Sequence, residues 1–286
     1  MSETSTPTPD ATATTADPAA TADRPLALVT GASSGIGLEL ARLLVRDGHD
    51  LVAVAEDAEL TDAALQLRSS GMTVVEVRAD LATADGVEHV VRETLALGRS
   101  IDVLVLNAGV GVGGPFLGAP VEDQLRLVDL NVRSVVHLAH RLLPAMVARG
   151  DGKVLVTSSV AASMPAPYNA TYAASKAFVQ SFTEAIRREL KDVGVSVTAL
   201  QPGPTDTEFF ERGGLEDSLL GKGPKDPASK AAKKGYKALM KGKARVVVGG
   251  KGKSQTAMSR VLPETASAAM HGALSKPRGE GAESDG

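Results

Sequence analysis

Tyr172 and Lys176, in the run Tyr172-Ala173-Ala174-Ser175-Lys176, are the residues whose types and spacing most directly suggest chemistry. Positions i and i+4 share a helix face, so the Lys176 ammonium can stand close to the Tyr172 phenol. A free phenol titrates near ~10 and transfers protons poorly at neutral pH. A fixed positive charge within a few ångströms favours the phenolate and lowers that value. The pair alone means little, because most Tyr-x-x-x-Lys spacings lie on solvated helix faces. It becomes diagnostic when a nucleotide-binding turn, a second hydroxyl and a polar Asn accompany it.

The surrounding elements have to place that pair. Short, continuous Val/Leu/Ala runs predict strands over Leu26–Val29, Asp50–Ala55, Thr73–Arg78, Val103–Leu106, Lys153–Thr157, Ser196–Leu200 and Arg245–Val248. Runs that do not alternate with polar residues indicate strands buried on both faces. Helix-period segments lie between them: Leu38–Arg46, Leu60–Ser69, Ala84–Leu97, Val121–Arg149 and Tyr172–Val193, the last stopping at Gly194. Strand–helix alternation of this kind implies an α/β Rossmann-type fold, a doubly wound seven-stranded parallel sheet in a single domain over about residues 24–250.

Composition narrows the chemistry. The 286 residues include no Cys, which excludes disulfides, thiol catalysis and cysteine-bound metal. The five His form no ligand pair, so no metal site is expected. A net charge of −3 gives no reason to expect nucleic-acid binding. Residues 1–23 are Thr, Ala, Pro and Asp with almost nothing large and apolar, and read as a disordered tail that is neither signal nor transit peptide. Residues 251–286 read as a partly disordered C-terminal extension. No apolar run approaches the ~20 residues of a membrane span, and a cytoplasmic location is expected.

The first strand runs into Thr30-Gly31-Ala32-Ser33-Ser34-Gly35-Ile36-Gly37 and then a helix. Gly31 permits the tight turn, Gly35 lets backbone amides approach a diphosphate, and Gly37 lets helix pack closely on strand. The N–H groups of that helix end then face an anion. Strand before and helix after are the context that such a motif needs.

With this Thr-Gly-x3-Gly-x-Gly spacing the sequence resembles the short-chain dehydrogenase/reductase superfamily over about Pro25 to Phe210. Further motifs follow in the family's order: Asp80-Leu81 after the third strand, Asn107-Ala108-Gly109 after the fourth, and Asn131 in the long helical segment. Ser159 lies thirteen residues before Tyr172, and Pro202-Gly203 then Thr207 match the loop that covers the nicotinamide in relatives. The resemblance implies an NAD(P)-dependent oxidoreductase that moves a hydride between nicotinamide and a carbonyl or secondary alcohol. It assigns catalytic roles to Asn131, Ser159, Tyr172 and Lys176. Tyr172 is the general acid or base, Lys176 lowers its pKa and holds the nicotinamide ribose, Ser159 binds the substrate oxygen, and Asn131 positions a relay water. Cofactor contacts are assigned to Gly31, Ser33, Ser34, Gly35, Ile36 and Gly37, then to Glu56, Asp80 and Leu81. Others are Asn107, Ala108 and Gly109, Tyr172 and Lys176, and the loop residues Pro202, Gly203, Thr205 and Thr207. Relatives preferring NADP carry Arg where Glu56 stands, and those preferring NAD carry Asp where Ala55 stands; this chain has neither. Carboxylates at Glu56 and Asp57 would repel a 2′-phosphate, so NAD(H) is expected over NADP(H).

Substrate-cleft residues are expected in Val110–Phe116, Ser163–Tyr168 and Glu208–Leu220, with Met164, Tyr168, Phe209 and Phe210 as the bulky members. They point to a medium-sized, mainly apolar small-molecule carbonyl or alcohol, although the same side chains could simply seal the core. Lys222–Lys253 carries ten Lys and one Arg against Asp226; it reads as a helix, Pro227–Lys241, with a solvated face, or else as a site for an anionic substrate tail or acidic membrane surface. By analogy with relatives, Val121–Arg149 and Tyr172–Val193 would pair across a homodimer or homotetramer. The rival readings are a non-catalytic dinucleotide-sensing protein, which ordinarily loses the Tyr–Lys pair, and a non-redox enzyme on the same scaffold, which ordinarily lacks the glycine loop.

Overall fold

The computed structural model describes residues 24–207, 209, 213–214 and 222–249. The two expected tails and most of Glu208–Leu220 lie outside the described residues. In chain order the elements are β1 (Leu26–Thr30), α1 (Gly35–Arg46), β2 (Asp50–Ala55), α2 (Glu59–Arg68), β3 (Val74–Arg78), α3 (Ala84–Ala96) and β4 (Ile101–Leu106). Then follow α4 (Val121–Val128), α5 (Ser134–Arg149), β5 (Gly152–Thr157), α6 (Ala170–Glu189), β6 (Val195–Pro202) and the two-residue strands β7 (Thr205–Asp206) and β8 (Asp226–Pro227). The last are α7 (Ala228–Met240) and β9 (Arg245–Val248).

Seven strands form one sheet in the order β3-β2-β1-β4-β5-β6-β9, and every pairing in it is parallel. The apolar strands of the sequence sit in the middle because both of their faces are covered. Along β1, Leu26 and Leu28 enter one core with Val90 of α3, Leu138 of α5 and Val179 of α6. Ala27 and Val29 enter the other with Leu44 of α1, Leu60 of α2 and Leu239 of α7. Period-two alternation therefore divides one strand between two apolar layers. The strand order reverses between β1 and β4, and in open parallel sheets ligands bind beyond the strand C-termini at such a point.

Local signals set most boundaries. Thr83 caps α3 by accepting from Gly86 N at 3.0 Å, and α5 ends at Gly150 with φ 74°. Past α6 a short 3-10 turn, Lys191–Val193, runs to Gly194 at φ 79°, where the sequence predicts the stop. The expected single helix Val121–Arg149 is instead interrupted: residues Asp129–Arg133 form a π turn between α4 and α5. Such turns gather at functional sites, and this one contains Asn131. The Lys-rich segment forms α7, whose Ala231, Ala232, Gly235, Ala238 and Leu239 are buried, while Lys233, Lys234 and Lys237 face solvent. Lys251 and Lys253 lie outside the described residues. No helix among the described residues is long and apolar enough to cross a membrane.

Candidate active site

A cavity of about 250 Å³ runs along the C-terminal ends of the strands, from the glycine turn to Tyr172. At its centre, Gly31 (φ 67°) and Gly35 (φ 56°) hold the turn between β1 and α1 in a conformation that disfavours other residues. A Cβ on Gly37 would meet the Gly31 carbonyl oxygen at 1.9 Å, so Gly37 serves packing and does not itself line the cavity. Ser34 makes no side-chain cap on α1. The first-turn amides, which have no intrahelical partner, thus remain available to an anion. Ser33, Ser34, Gly35 and Ile36 all line the cavity at this point.

The end near β2 carries charge. Glu56 and Asp57 line the cavity, and Asp57 accepts from Ser33 Oγ at 3.0 Å. Arg126 of α4, a residue that the motifs do not mark, gathers the carboxylates. It donates to Glu56 at 2.6 Å and to both oxygens of Asp80 at 2.9 and 3.1 Å. That hydrogen-bonded guanidinium holds the Asp80 carboxyl below its ordinary range. Asp80 itself does not line the cavity, whereas Leu81 does.

Across the middle, a polar chain links three strand ends. Thr30 Oγ1 accepts from Asn107 N and Ala108 N at 2.9 and 3.0 Å. Asn107 Nδ2 donates to Thr30 O at 3.2 Å, and Thr157 Oγ1 donates to Asn107 Oδ1 at 3.0 Å. The Thr157 carbonyl then accepts from Lys176 Nζ at 3.0 Å. Asn107, Ala108 and Gly109 line the cavity. Gly109 allows a close approach: a Cβ there would lie 3.0 Å from Asn131 Oδ1 and 3.1 Å from Lys176 Nζ. Pro202, Gly203, Thr205 and Thr207 form the opposite rim. Thr207 Cγ2 would touch a Cβ on Gly35 at 2.9 Å, and its hydroxyl accepts from Phe209 N at 3.4 Å.

Tyr172, Lys176 and Ser159 come together in the remaining part of the cavity. Ser159 starts the 3-10 turn Val160–Ser163 and accepts from Ala161 N at 3.1 Å; its hydroxyl is near enough to the Tyr172 phenol to favour the phenolate. With one lone pair taken by the amide, the hydroxyl keeps its proton to donate. Ser158 Oγ donates to Lys176 O at 2.9 Å and ties α6 to the end of β5. Phe209 packs on Tyr172 with ring centroids 4.9 Å apart.

The electrostatics differ from the sequence expectation. Burial raises the Tyr172 phenol to about 12, with Ser159 opposing the shift. Burial also lowers the Lys176 ammonium to about 8. Nζ stands 5.8 Å from the phenol ring centroid and spends a hydrogen bond on Thr157. Desolvation therefore outweighs the charge effect of Lys176 on the phenol. Asn131 is bonded on both sides of its amide. Its Nδ2 donates to Val110 O at 2.9 Å and to Ser175 Oγ at 3.1 Å, and its Oδ1 accepts from Val110 N at 2.9 Å. The amide braces the Gly109–Val110 loop and does not line the cavity.

The residues present fit a dinucleotide: carboxylates suited to ribose hydroxyls at one end, helix-terminal amides at the centre, and a phenol, hydroxyl and ammonium at the other end. Comparison with known proteins agrees. Residues 25–216 match the family model described as short chain dehydrogenase. The chain belongs to the short-chain dehydrogenase family. It is 35% identical over 196 residues to a 3-oxoacyl-(acyl-carrier-protein) reductase of Synechocystis, covering 68% of this chain and 79% of that protein. A short-chain dehydrogenase from Sphingobium yanoikuyae in complex with NADPH superposes with a TM-score of 0.73 at 30% identity, covering 83% of this chain and 96% of that one. A 3-ketoacyl-(acyl-carrier-protein) reductase from Brucella melitensis complexed with NADH gives a TM-score of 0.71 at 26% identity, covering 80% and 98%. Membership makes the chain an NAD(P)-dependent oxidoreductase of the class acting on CH–OH and C=O groups.

Sequence reasoning missed Thr30, Thr157, Ser158, Arg126 and Asn169. Asn169 carried a legible signal, since it stands three residues before Tyr172 on the same helical stripe. Arg126 carried none, because its partners are 46 and 70 residues away.

Proposed function

We propose that the chain reduces a small-molecule carbonyl, and in reverse oxidises the secondary alcohol, through Tyr172, Lys176 and Ser159. The observation that carries this reading is the convergence of Ser159, Tyr172, Lys176 and the glycine turn on one cavity. A bound reduced nicotinamide supplies the hydride at this end of the cavity. Gly31, Ser33 to Ile36 and Asn107 to Gly109 hold the dinucleotide, and Pro202 to Thr207 cover it. The substrate oxygen lies against Tyr172 Oη and Ser159 Oγ. Tyr172 Oη gives its proton to that oxygen as the adjoining carbon accepts hydride. Ser159 Oγ–H and the Lys176 ammonium then stabilise the phenolate until solvent reprotonates it. Asn131 acts as a positioning residue that fixes Val110 beside Gly109 and Lys176.

The cofactor proposed is NAD(H). Glu56, Asp57 and Asp80 surround the β2 end, and Arg126 is already engaged with two of them. Arg78, nearby, spends its Nε on the Glu56 carbonyl. A 2′-phosphate would have to draw a guanidinium away from these partners. Titration of the protein with NADH and NADPH, followed by a panel of carbonyls, tests both parts. At least tenfold tighter NADPH binding overturns the cofactor assignment, and no turnover of any carbonyl with either cofactor overturns the reaction.

Leu125 and Val128 of α4, Val136 of α5 and Phe178 of α6 are large apolar side chains left exposed. They support a homo-oligomer paired through these helices. Light scattering that returns the mass of one chain would reject it.

A further inference from the structure

Asn169 lines the same cavity but has no part in the chemistry above. It is 6% exposed, and its Oδ1 is buried without a hydrogen-bond partner. A buried polar group in that condition calls for an explanation. Asn169 is also the N-cap residue of α6, where an Asn side chain ordinarily accepts from a first-turn amide. With φ −153° and ψ 32° it makes no such bond. The side chain therefore forgoes the bond that a capping role would give it and leaves an oxygen unmet. A residue kept for stability alone would avoid both costs.

Two features show where the amide is held. Asn169, Tyr172 and Lys176 stand at i, i+3 and i+7, a single stripe of the helix. The preceding residue, Tyr168, has φ 63°, a left-handed conformation that is uncommon outside glycine and gathers at binding sites. The Tyr168 carbonyl is held by Gly114 N at 2.9 Å, so the entry to α6 is pinned to the loop after Gly109.

We propose that Asn169 is a specificity-determining residue that hydrogen-bonds a hydroxyl of the substrate, making hydroxy-ketones and the corresponding diols the favoured substrate class. The inference rests on the carbonyl-reductase reading above and names its substrate. A carboxamide both accepts and donates, and a hydroxyl is the small group that does both in return. Three residues of helix rise about 4.5 Å, which places that hydroxyl one or two carbons from the reacting carbon. Apolar side chains packed with Tyr172, among them Val110, Ala161, Ala166 and Phe209, suit a hydrocarbon remainder of the substrate. The reaction balances as hydroxy-ketone, reduced nicotinamide and one proton giving diol and oxidised nicotinamide.

Matched substrates test this in the full-length protein. Butan-2-one is compared with 3-hydroxybutan-2-one and 4-hydroxybutan-2-one, and cyclohexanone with 2-hydroxycyclohexanone. The readout is the ratio of kcat/KM for the hydroxylated to the plain ketone, measured in wild type and in Asn169→Leu and Asn169→Ala. Because intrinsic reactivity is common to all three proteins, the change in ratio isolates the amide. The ratio is expected to fall by ~30-fold or more in both variants, since a site built to bond a hydroxyl discriminates strongly against its absence. The Asn169→Leu melting temperature is expected to be no lower than wild type, whereas a structural role would lower it. An unchanged ratio overturns the inference and leaves the reductase reading standing, with a lowered melting temperature then marking Asn169 as structural. If wild type reduces no member of any pair with either cofactor, the reductase reading and the inference fall together.

Discussion

At the Tyr172 end of the cavity the ionisable groups are sealed from water, whereas at the Glu56 end they stand largely in it. Lys176 is 5% exposed, against 44% for the Arg126 side chain and 45% for that of Glu56. The charges at the exposed end are satisfied by one another, through a guanidinium shared between two carboxylates. At the sealed end the Lys176 ammonium donates instead to a neutral partner, the Thr157 carbonyl. Burial without a full set of partners moves pKa values toward the neutral forms, which is why the phenol rises and the ammonium falls. The two ends therefore suit different tasks. Exposed ion pairs hold a shape cheaply, while poorly satisfied buried groups are poised to exchange protons.

The largest test of that contrast is Tyr172→Phe. Removing the proposed proton donor should lower kcat by ~10³-fold, while reduced-cofactor binding, followed by nicotinamide fluorescence, survives. Turnover near the wild-type rate would break the assignment of chemistry to the sealed end. Lys176→Met is expected to stabilise the protein, because it removes a buried charge. The Lys176 pKa is depressed on folding to about 8, so below that pH the native state carries the desolvation cost of the ammonium. As pH rises from about 8 toward the unfolded-state value, the native lysine sheds its proton first and the wild type recovers. The gain in Lys176→Met should thus be on the order of 3 kcal/mol at pH 6 and shrink through pH 8 to 10. Denaturant melts at both pH values measure it; a variant less stable than wild type at pH 6 would show that the ammonium is well satisfied after all.

The same depression sharpens the pH dependence of catalysis. In the proposed mechanism carbonyl reduction needs Tyr172 as phenol, which persists to about 12, and Lys176 as ammonium. The value of kcat/KM for reduction should therefore fall above about pH 8, and a plateau extending to pH 10 would remove Lys176 charge from the mechanism. The smallest effect is expected at the exposed end. Arg126→Ala should change stability by less than ~1 kcal/mol, since exposed ion pairs contribute little. It should weaken NADPH binding more than NADH binding, because Glu56 and Asp80 lose their counter-charge, and added salt should narrow that difference. Equal weakening of both cofactors would detach Arg126 from 2′ discrimination.

Much of this arrangement was legible beforehand, for identifiable reasons. The sheet was readable because strands covered on both faces leave continuous apolar runs, as in Asp50–Ala55. The glycine turn was readable because only glycine tolerates positive φ at residues 31 and 35 and the contact at Gly37. The helix end at Gly194 followed from the same backbone rule. The π turn at Asp129–Arg133 was not legible, because one extra residue in a turn leaves the helical hydrophobic pattern almost unchanged. Nor was Arg126, whose partners reach it only once β2 and β3 are laid beside α4. Asn131 was found as a residue, but its bonding to Val110 and Ser175 belongs to the packed structure.

By itself the sequence determined the alternation of strands and helices, the dinucleotide turn, and the presence of Tyr172, Lys176 and Ser159 at working distances along the chain. These are properties of residue type and spacing, which local geometry translates directly. Only the tertiary structure decided how those groups are charged and which of them lack partners. Desolvation and hydrogen-bond satisfaction depend on what the rest of the fold brings around a side chain. The same Tyr–Lys spacing on an open helix would have given a lowered phenol pKa, and enclosed by Phe209, Ala161 and Ala166 it gives a raised one.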